Sequence, residues 1–346
     1  MLALVIYVGL LLLVDNQGQF SEGVVEAFQG FPWLVLIPLV LLQIVAGLSR
    51  FLVWTYYLGI IGARDKISLA DSAIIFVFGF TMVVSPGKAA ELLKAVFLKM
   101  KTGVPIARSA PVVIAERLVD GLAVIVILTA VLLFAGSELE LGEYLTLSRA
   151  IAFSSALFLG FCLAAVQITP LAYFVLRLVA RTPLIRRLHG WLADLYESSR
   201  EVFKPRHMLT ATALGLGIYL SSAVSMALIL AAFNVPVTLT LALQAMFMVG
   251  VTSAIGALSF IPNGAGITEF SNVAMLMAIV APANPSLTLG VATAAALLQG
   301  FFYKWFRVLV GLGVAVIFRD RLFTPAVESE IAALEGASIE PAEAGA

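Results

Sequence analysis

Residues 85–120 read SPGKAAELLKAVFLKMKTGVPIARSAPVVIAERLVD, between two apolar runs in a chain that otherwise avoids charge. Nine ionisable residues fall inside this stretch: Lys88, Glu91, Lys94, Lys99, Lys101, Arg108, Glu116, Arg117 and Asp120. An ionisable group at membrane depth costs about 2.5 kcal/mol or more, so such groups persist where they pair or line a polar path. Residues 99–108 are compatible with an ordinary loop between two spans. Residues 86–94 and 116–120 are not, because they lie against or within apolar sequence.

The rest of the chain sets the class. Of its 346 residues 61% are hydrophobic and only 12% charged, with a mean hydropathy of +1.05. Soluble domains run near a quarter charged, so the composition predicts an all-α polytopic membrane protein. The single cysteine, Cys162, excludes an intrachain disulfide and a thiolate metal cage, and reads as a small buried hydrophobe. Both histidines, His189 and His207, fall in the polar central region, which leaves no imidazole for an intramembrane metal site or proton relay. Residues 2–14 lack a basic leader and a small-residue cleavage site, and are expected to form a short first span. No nucleotide loop, dinucleotide fingerprint or Ser–His pair is present, so neither a cofactor nor a nucleic acid is expected.

Further apolar runs cover residues 31–62, 69–84, 110–135, 147–169, 208–233, 239–260, 267–280 and 287–318. Basic residues mark the cytoplasmic side. The acid-only loops at 15–30 and 136–146 therefore face outward, while Arg64, Lys66, the 99–108 stretch, the basic 170–207 region, Arg319 and Arg321 face inward. This closes with about six transmembrane helices and two re-entrant hairpins, one entering from each face, with both termini cytoplasmic. The transmembrane domain is expected over 1–321, and 322–346 as a disordered tail.

The hairpins break at Pro86-Gly87 and at Pro262-Asn263-Gly264, and an acid follows each break, Glu91 in one and Glu269 in the other. Short Gly/Pro-interrupted segments at corresponding positions of two halves point to a transporter's binding site. The reading is thus an inverted repeat whose broken helix ends meet near the midplane.

At 100° per residue, Lys88, Glu91, Lys94, Lys99 and Lys101 share one helix face, which suits either a phosphate head group or the headgroup layer of the bilayer. Glu116, Arg117 and Asp120 cover a narrow arc of the next helix, as an internal ion pair, a phosphate site, or both. Glu269 and Asn272 share a face after the second turn. Gln299, Tyr303 and Arg307 form a polar stripe of the kind that holds helices together. Arg307 stands out, because a guanidinium in an apolar run needs a partner and suits bidentate phosphate recognition. Arg50 follows the same logic, with snorkelling to the interface as the alternative.

The quoted stretch and the later PNGAGITE resemble the lysylphosphatidylglycerol synthase transmembrane (flippase-like) family. By that resemblance Pro86, Lys88, Glu91, Glu116, Arg117, Asp120, Pro262, Gly264, Gly266 and Glu269 take the motif positions, and Gly87 completes the first turn. Two departures stand out: Ala90 replaces a Gly before the acid, and Asn263 replaces a Gly of the late turn, which Asn tolerates through its access to left-handed backbone. The residues after the last span are too few for the soluble transferase domain of bifunctional relatives, so synthesis of lysylphosphatidylglycerol is not expected. The resemblance implies translocation of a phospholipid or polyprenyl-phosphate-linked lipid across the cytoplasmic (inner) membrane, with a lipid-synthesising enzyme as a further partner. Two other classes stay open: a membrane-embedded lipid-modifying enzyme such as a lipid-linked glycosyl transferase, using Glu116 and Asp120, and a non-transporting scaffold for lipid-pathway enzymes.

Overall fold

The computed structural model describes residues 19–84, 93–134, 189–259 and 261–325, with Val327 and a few positions between 146 and 161. The expected spans at 2–14 and 147–169, Cys162, the first turn with Pro86, Gly87, Lys88, Ala90 and Glu91, and residues 328–346 of the expected tail lie outside or largely outside these. The described residues are helical, without a strand.

The chain enters through α1 (Gln19–Gln29), where the acid-only composition suggests a loop. Val24 is buried and Phe28 packs with it while Glu26 stays exposed, so the segment is an amphipathic helix. Its Gly23 lies against Gly290 of a later helix so closely that a Cβ on Gly290 would meet Gly23 backbone at 2.7 Å.

A short 3-10 turn (Trp33–Val35) leads into α2 (Leu36–Ile60), whose apolar run is long enough to cross a membrane. Helix α3 (Leu69–Phe78) starts where the Ser68 hydroxyl accepts the Asp71 N–H (3.0 Å), and it tightens into a 3-10 segment at Gly79–Val84. Beyond the first turn come α4 (Leu93–Thr102) and α5 (Ile106–Phe134). At 1.5 Å per residue α5 is about 43 Å long, ample for a bilayer, and its ionisable groups all fall in its first half.

Part of the polar central region is helical too: α6 (His189–Val202) packs along α5, where Ser198 Oγ donates to the Arg108 carbonyl (2.7 Å). Three further helices are long and apolar enough to span: α7 (Pro205–Ala232), α8 (Leu239–Leu258) and the continuous segment Leu289–Ile317. Between the last two lies the turn Pro262–Gly264, then α9 (Ile267–Met275) and a π-turn at Leu276–Val280. The final segment comprises α10 (Leu289–Gly300), a π-turn at Phe301–Trp305 and α11 (Phe306–Ile317), and α12 (Arg319–Leu322) follows.

Helices α2 and α7 form the central pair. They cross where a Cβ on Gly217 would sit 2.3 Å from Ser49 Oγ, the close approach that small residues give membrane helices. Around this pair each long closing helix packs against the arm entering the opposite break: α5 lies on α8, and α11 lies on α3 and its 3-10 extension. That 3-10 extension in turn touches Pro262–Gly264. One apolar core gathers α7, α8 and α10 around Phe247, Met226 and Leu230. The other gathers α2, α3 and α4 around Trp54, Tyr57 and Phe78. The chain stays packed past the last span, because Leu322 and Val327 are buried and Phe323 meets Phe78 edge-on (5.6 Å between ring centroids).

Candidate functional site

Three ionic groups lie inside this bundle. In the first, Arg50 from the middle of α2 donates from both terminal nitrogens to Asp120 of α5 (3.1 and 3.0 Å). Arg117, one turn before Asp120, meets the same carboxylate at 3.0 Å. Arg50 is therefore buried and bidentate rather than snorkelled to an interface. Tyr219 of α7 and Tyr303 of the second π-turn border the cluster within electrostatic reach of Arg50.

Arg307 of α11 lies within Coulombic reach of both Arg50 and Asp120. Its guanidinium donates to the Tyr303 carbonyl and lies over the rings of Tyr303 (5.0 Å) and Phe80 (5.9 Å). Among the described residues no carboxylate comes within ion-pair distance of it. Among the described residues, the direct partners of this guanidinium are thus a carbonyl and two aromatic faces.

The second group is the ion pair Lys94 Nζ to Glu116 Oε2, at 2.6 Å, joining α4 to α5. Both side chains are buried, and the ammonium stands 5.1 Å from the Trp54 ring centroid. Gly79 makes room for the lysine stem: a Cβ there would meet Lys94 Cδ at 2.6 Å. Lys94 therefore leaves the cationic face expected for α4. Lys101, on the same side of the helix, is exposed and reaches Asp71 at 3.9 Å.

The third group joins α9 to the final segment. Glu269 Oε2 accepts the Gly266 N–H (2.9 Å) and the Thr268 hydroxyl (3.1 Å), while Oε1 accepts Lys304 Nζ at 2.6 Å. Lys304 also donates to Thr268 Oγ1 and to the Gly264 carbonyl (3.3 Å). The turn that delivers these atoms needs left-handed backbone, and it uses Asn263 (φ 56°), Gly264 (φ 61°) and Gly266 (φ 83°). Gly300 completes the recess, since a Cβ there would lie 2.2 Å from Glu269 Oε1.

Of the candidate residues, Arg50, Arg117, Asp120 and Arg307 come together in one cluster, Lys94 and Glu116 form a second, and Glu269 belongs to a third. Lys88 and Glu91 lie outside the described residues. Sequence reasoning passes over Lys304, Tyr219 and Thr268. The signal for Lys304 is a cation three residues before Arg307 in an apolar segment, facing a buried acid upstream. Gln299 does serve as interhelical glue, donating to Ser222 Oγ (2.8 Å) and Ser222 O (3.0 Å). At the loop end of α6, outside the spans, the Lys204 ammonium hydrogen-bonds Glu201 (2.5 Å) and holds its carboxyl below the usual range.

A family model described as the lysylphosphatidylglycerol synthase TM region matches residues 1–311. Compared with curated proteins and with solved structures, the chain matches none.

Proposed function

The chain belongs to the lysylphosphatidylglycerol synthase transmembrane family, a family of lipid-related membrane proteins, and from that premise we propose that it moves an anionic, phosphate-bearing lipid between the leaflets of the cytoplasmic membrane. The observation that carries the reading is Arg307: a guanidinium inside the bundle, without a carboxylate partner among the described residues, stacked on Tyr303 and within Coulombic reach of Arg50. Two guanidiniums that repel one another are relieved by an anion between them, and a phosphate accepts from both in the planar fork geometry. The acyl or prenyl chains stay in lipid while the head group meets these guanidiniums.

The packing supports two re-entrant hairpins in an inverted repeat. Each closing helix lies on the arm entering the opposite break, and Gly79–Val84, the segment that leads toward the first break, touches Pro262–Gly264 at the second. Lys94–Glu116 and Glu269–Lys304 then occupy corresponding places, outgoing arm to closing helix, with the signs exchanged. The carboxylates on which an enzyme reading depends, Glu116 and Asp120, are committed to different cations, which favours transport.

The test is leaflet exchange of fluorescent phosphatidylglycerol in phosphatidylcholine liposomes containing the purified protein, read by dithionite quenching. Wild type accelerates exchange, and Arg307→Gln and Arg117→Ala slow it at least tenfold. A wild-type protein that exchanges neither phosphatidylglycerol, phosphatidic acid nor a polyprenyl phosphate refutes the proposal.

A further inference from the structure

The two pin-like ion pairs differ in how completely they are satisfied. In the Glu269–Lys304 pair both carboxylate oxygens are used, and the ammonium meets three acceptors, Glu269 Oε1, Thr268 Oγ1 and Gly264 O. In the Lys94–Glu116 pair the ammonium has one acceptor among the described residues, Glu116 Oε2. Its other neighbour is the Trp54 ring. Glu116 Oε1 is buried without a hydrogen-bond partner among the described residues, on a side chain only 2% exposed. An ammonium can donate three hydrogen bonds and a carboxylate can accept about four. A half-satisfied buried network is less stable than either a complete one or an apolar packing. The first pair is thus held short of its bonding capacity, while its counterpart is saturated.

Resting on the translocation reading above, we propose that Lys94–Glu116 is a second station for the head group and an exchange site: Glu116 binds a proton as the lipid's phosphate, on its way to or from the Arg50–Arg307 pair, takes its place on Lys94. The proton comes from water and adds to the Glu116 carboxylate, whose unpartnered Oε1 is the open position. Lys94 keeps its own proton and turns its ammonium from Glu116 Oε2 to a phosphate oxygen. One proton and one negative charge enter together, so the net charge buried at the site is the same before and after. That neutrality is what a charge-bearing head group needs inside hydrocarbon.

The surroundings favour Glu116 over any other acid for this role. Among the described residues the titratable groups facing it are Lys94 from α4 and Tyr57 from α2, with Arg117 and Asp120 on its own helix. Helix α8 contains no ionisable residue, α7 brings Tyr219 to Asp120, and α6 meets α5 down at Arg108. Asp120 is held by two guanidiniums and Glu269 by a lysine, a hydroxyl and a backbone N–H. Each would have to break several bonds to accept a proton, whereas Glu116 has a bare oxygen.

The experiment is calorimetric titration of the full chain in phosphatidylcholine nanodiscs with dihexanoyl phosphatidylglycerol, in two buffers of different ionisation enthalpy. Wild type takes up about one proton per lipid bound, and its affinity falls about tenfold per pH unit as proton linkage requires. Glu116→Gln, which carries the neutral form permanently, takes up none and shows a flat profile. The exposed control Lys66→Arg keeps the wild-type proton uptake. Wild-type binding without proton uptake overturns this inference alone, and that measurement needs no variant. An uptake that survives Glu116→Gln overturns it as well. Failure of wild type to bind the lipid at any pH instead overturns the translocation reading, and the exchange with it. Inorganic phosphate is titrated in parallel; equal affinity for it would overturn the assignment of the site to a lipid head group.

Discussion

Replacing Lys304 with methionine is the sharpest structural test of the bundle. The ammonium it removes lies 2.6 Å from Glu269 Oε1 and 3.3 Å from the Gly264 carbonyl, and it also meets Thr268. Methionine keeps most of the volume, so the effect is electrical rather than a cavity. Stripping one partner from a buried ion pair costs about 3–5 kcal/mol, because the remaining charge is left uncompensated. Glu269 would retain the Gly266 N–H and the Thr268 hydroxyl, which places the expected loss near the lower end, about 3 kcal/mol. That is about two decades in the unfolding equilibrium. The assay is reversible unfolding in mixed detergent micelles, followed by circular dichroism. Adding Glu269→Gln to Lys304→Met neutralises the orphan and should recover stability to within about 1 kcal/mol of wild type. If the single variant is as stable as wild type, or the double variant no better than the single, the third ionic group is not the pin described here.

Gly300→Ala should lower the unfolding midpoint by an amount equivalent to about 1–3 kcal/mol, because its Cβ falls 2.2 Å from Glu269 Oε1; the same denaturation assay reads it. Gly79→Ala should be milder for folding, because the atom it meets at 2.6 Å belongs to the flexible Lys94 stem, yet it should slow lipid exchange in liposomes by displacing that lysine. Arg50→Lys keeps the charge but loses the two-pronged grip on Asp120, and should reduce both stability and exchange, whereas a surface Lys66→Arg control should change neither. Asn263→Gly should be tolerated and Asn263→Val should cost about 1–2 kcal/mol, since the position holds φ 56°.

How much of this could be read from the sequence depended on how local the physics was. The long apolar runs mark α2, α7, α8 and the final segment to within a few residues, because hydropathy is a property of consecutive side chains. The break at Pro262-Asn263-Gly264 and the left-handed Asn263 are likewise local chemistry. The helix at α1 is hidden by its acid-only composition, and α6 by the polarity of its surroundings; only their neighbours, α10 and α5, make those faces buried. Charge partners are the least legible. Arg50 and Asp120 stand 70 positions apart, and nothing in either neighbourhood names the other. Lys304 is overlooked beside the more conspicuous Arg307, and a π-turn at Phe301–Trp305 alters the helical register on which a stripe argument relies.

The three ionic groups fit together once their degrees of completion are compared. A bundle that only had to fold would gain from saturating every buried charge, as it does at Lys304, where three acceptors surround one ammonium. Leaving Glu116 Oε1 bare and Arg307 without a carboxylate, among the described residues, costs stability in two separate ionic groups. The unmet demand is complementary: a protonated Glu116 becomes a donor to a phosphate oxygen, and the cationic donors are filled by the same kind of group. An anionic ligand accompanied by a proton leaves the net buried charge at Lys94–Glu116 unchanged, whereas either alone would leave a new unbalanced charge in hydrocarbon. The incompleteness of the first pair beside the completeness of its counterpart is what separates the part of this bundle that must let go from the part that must hold.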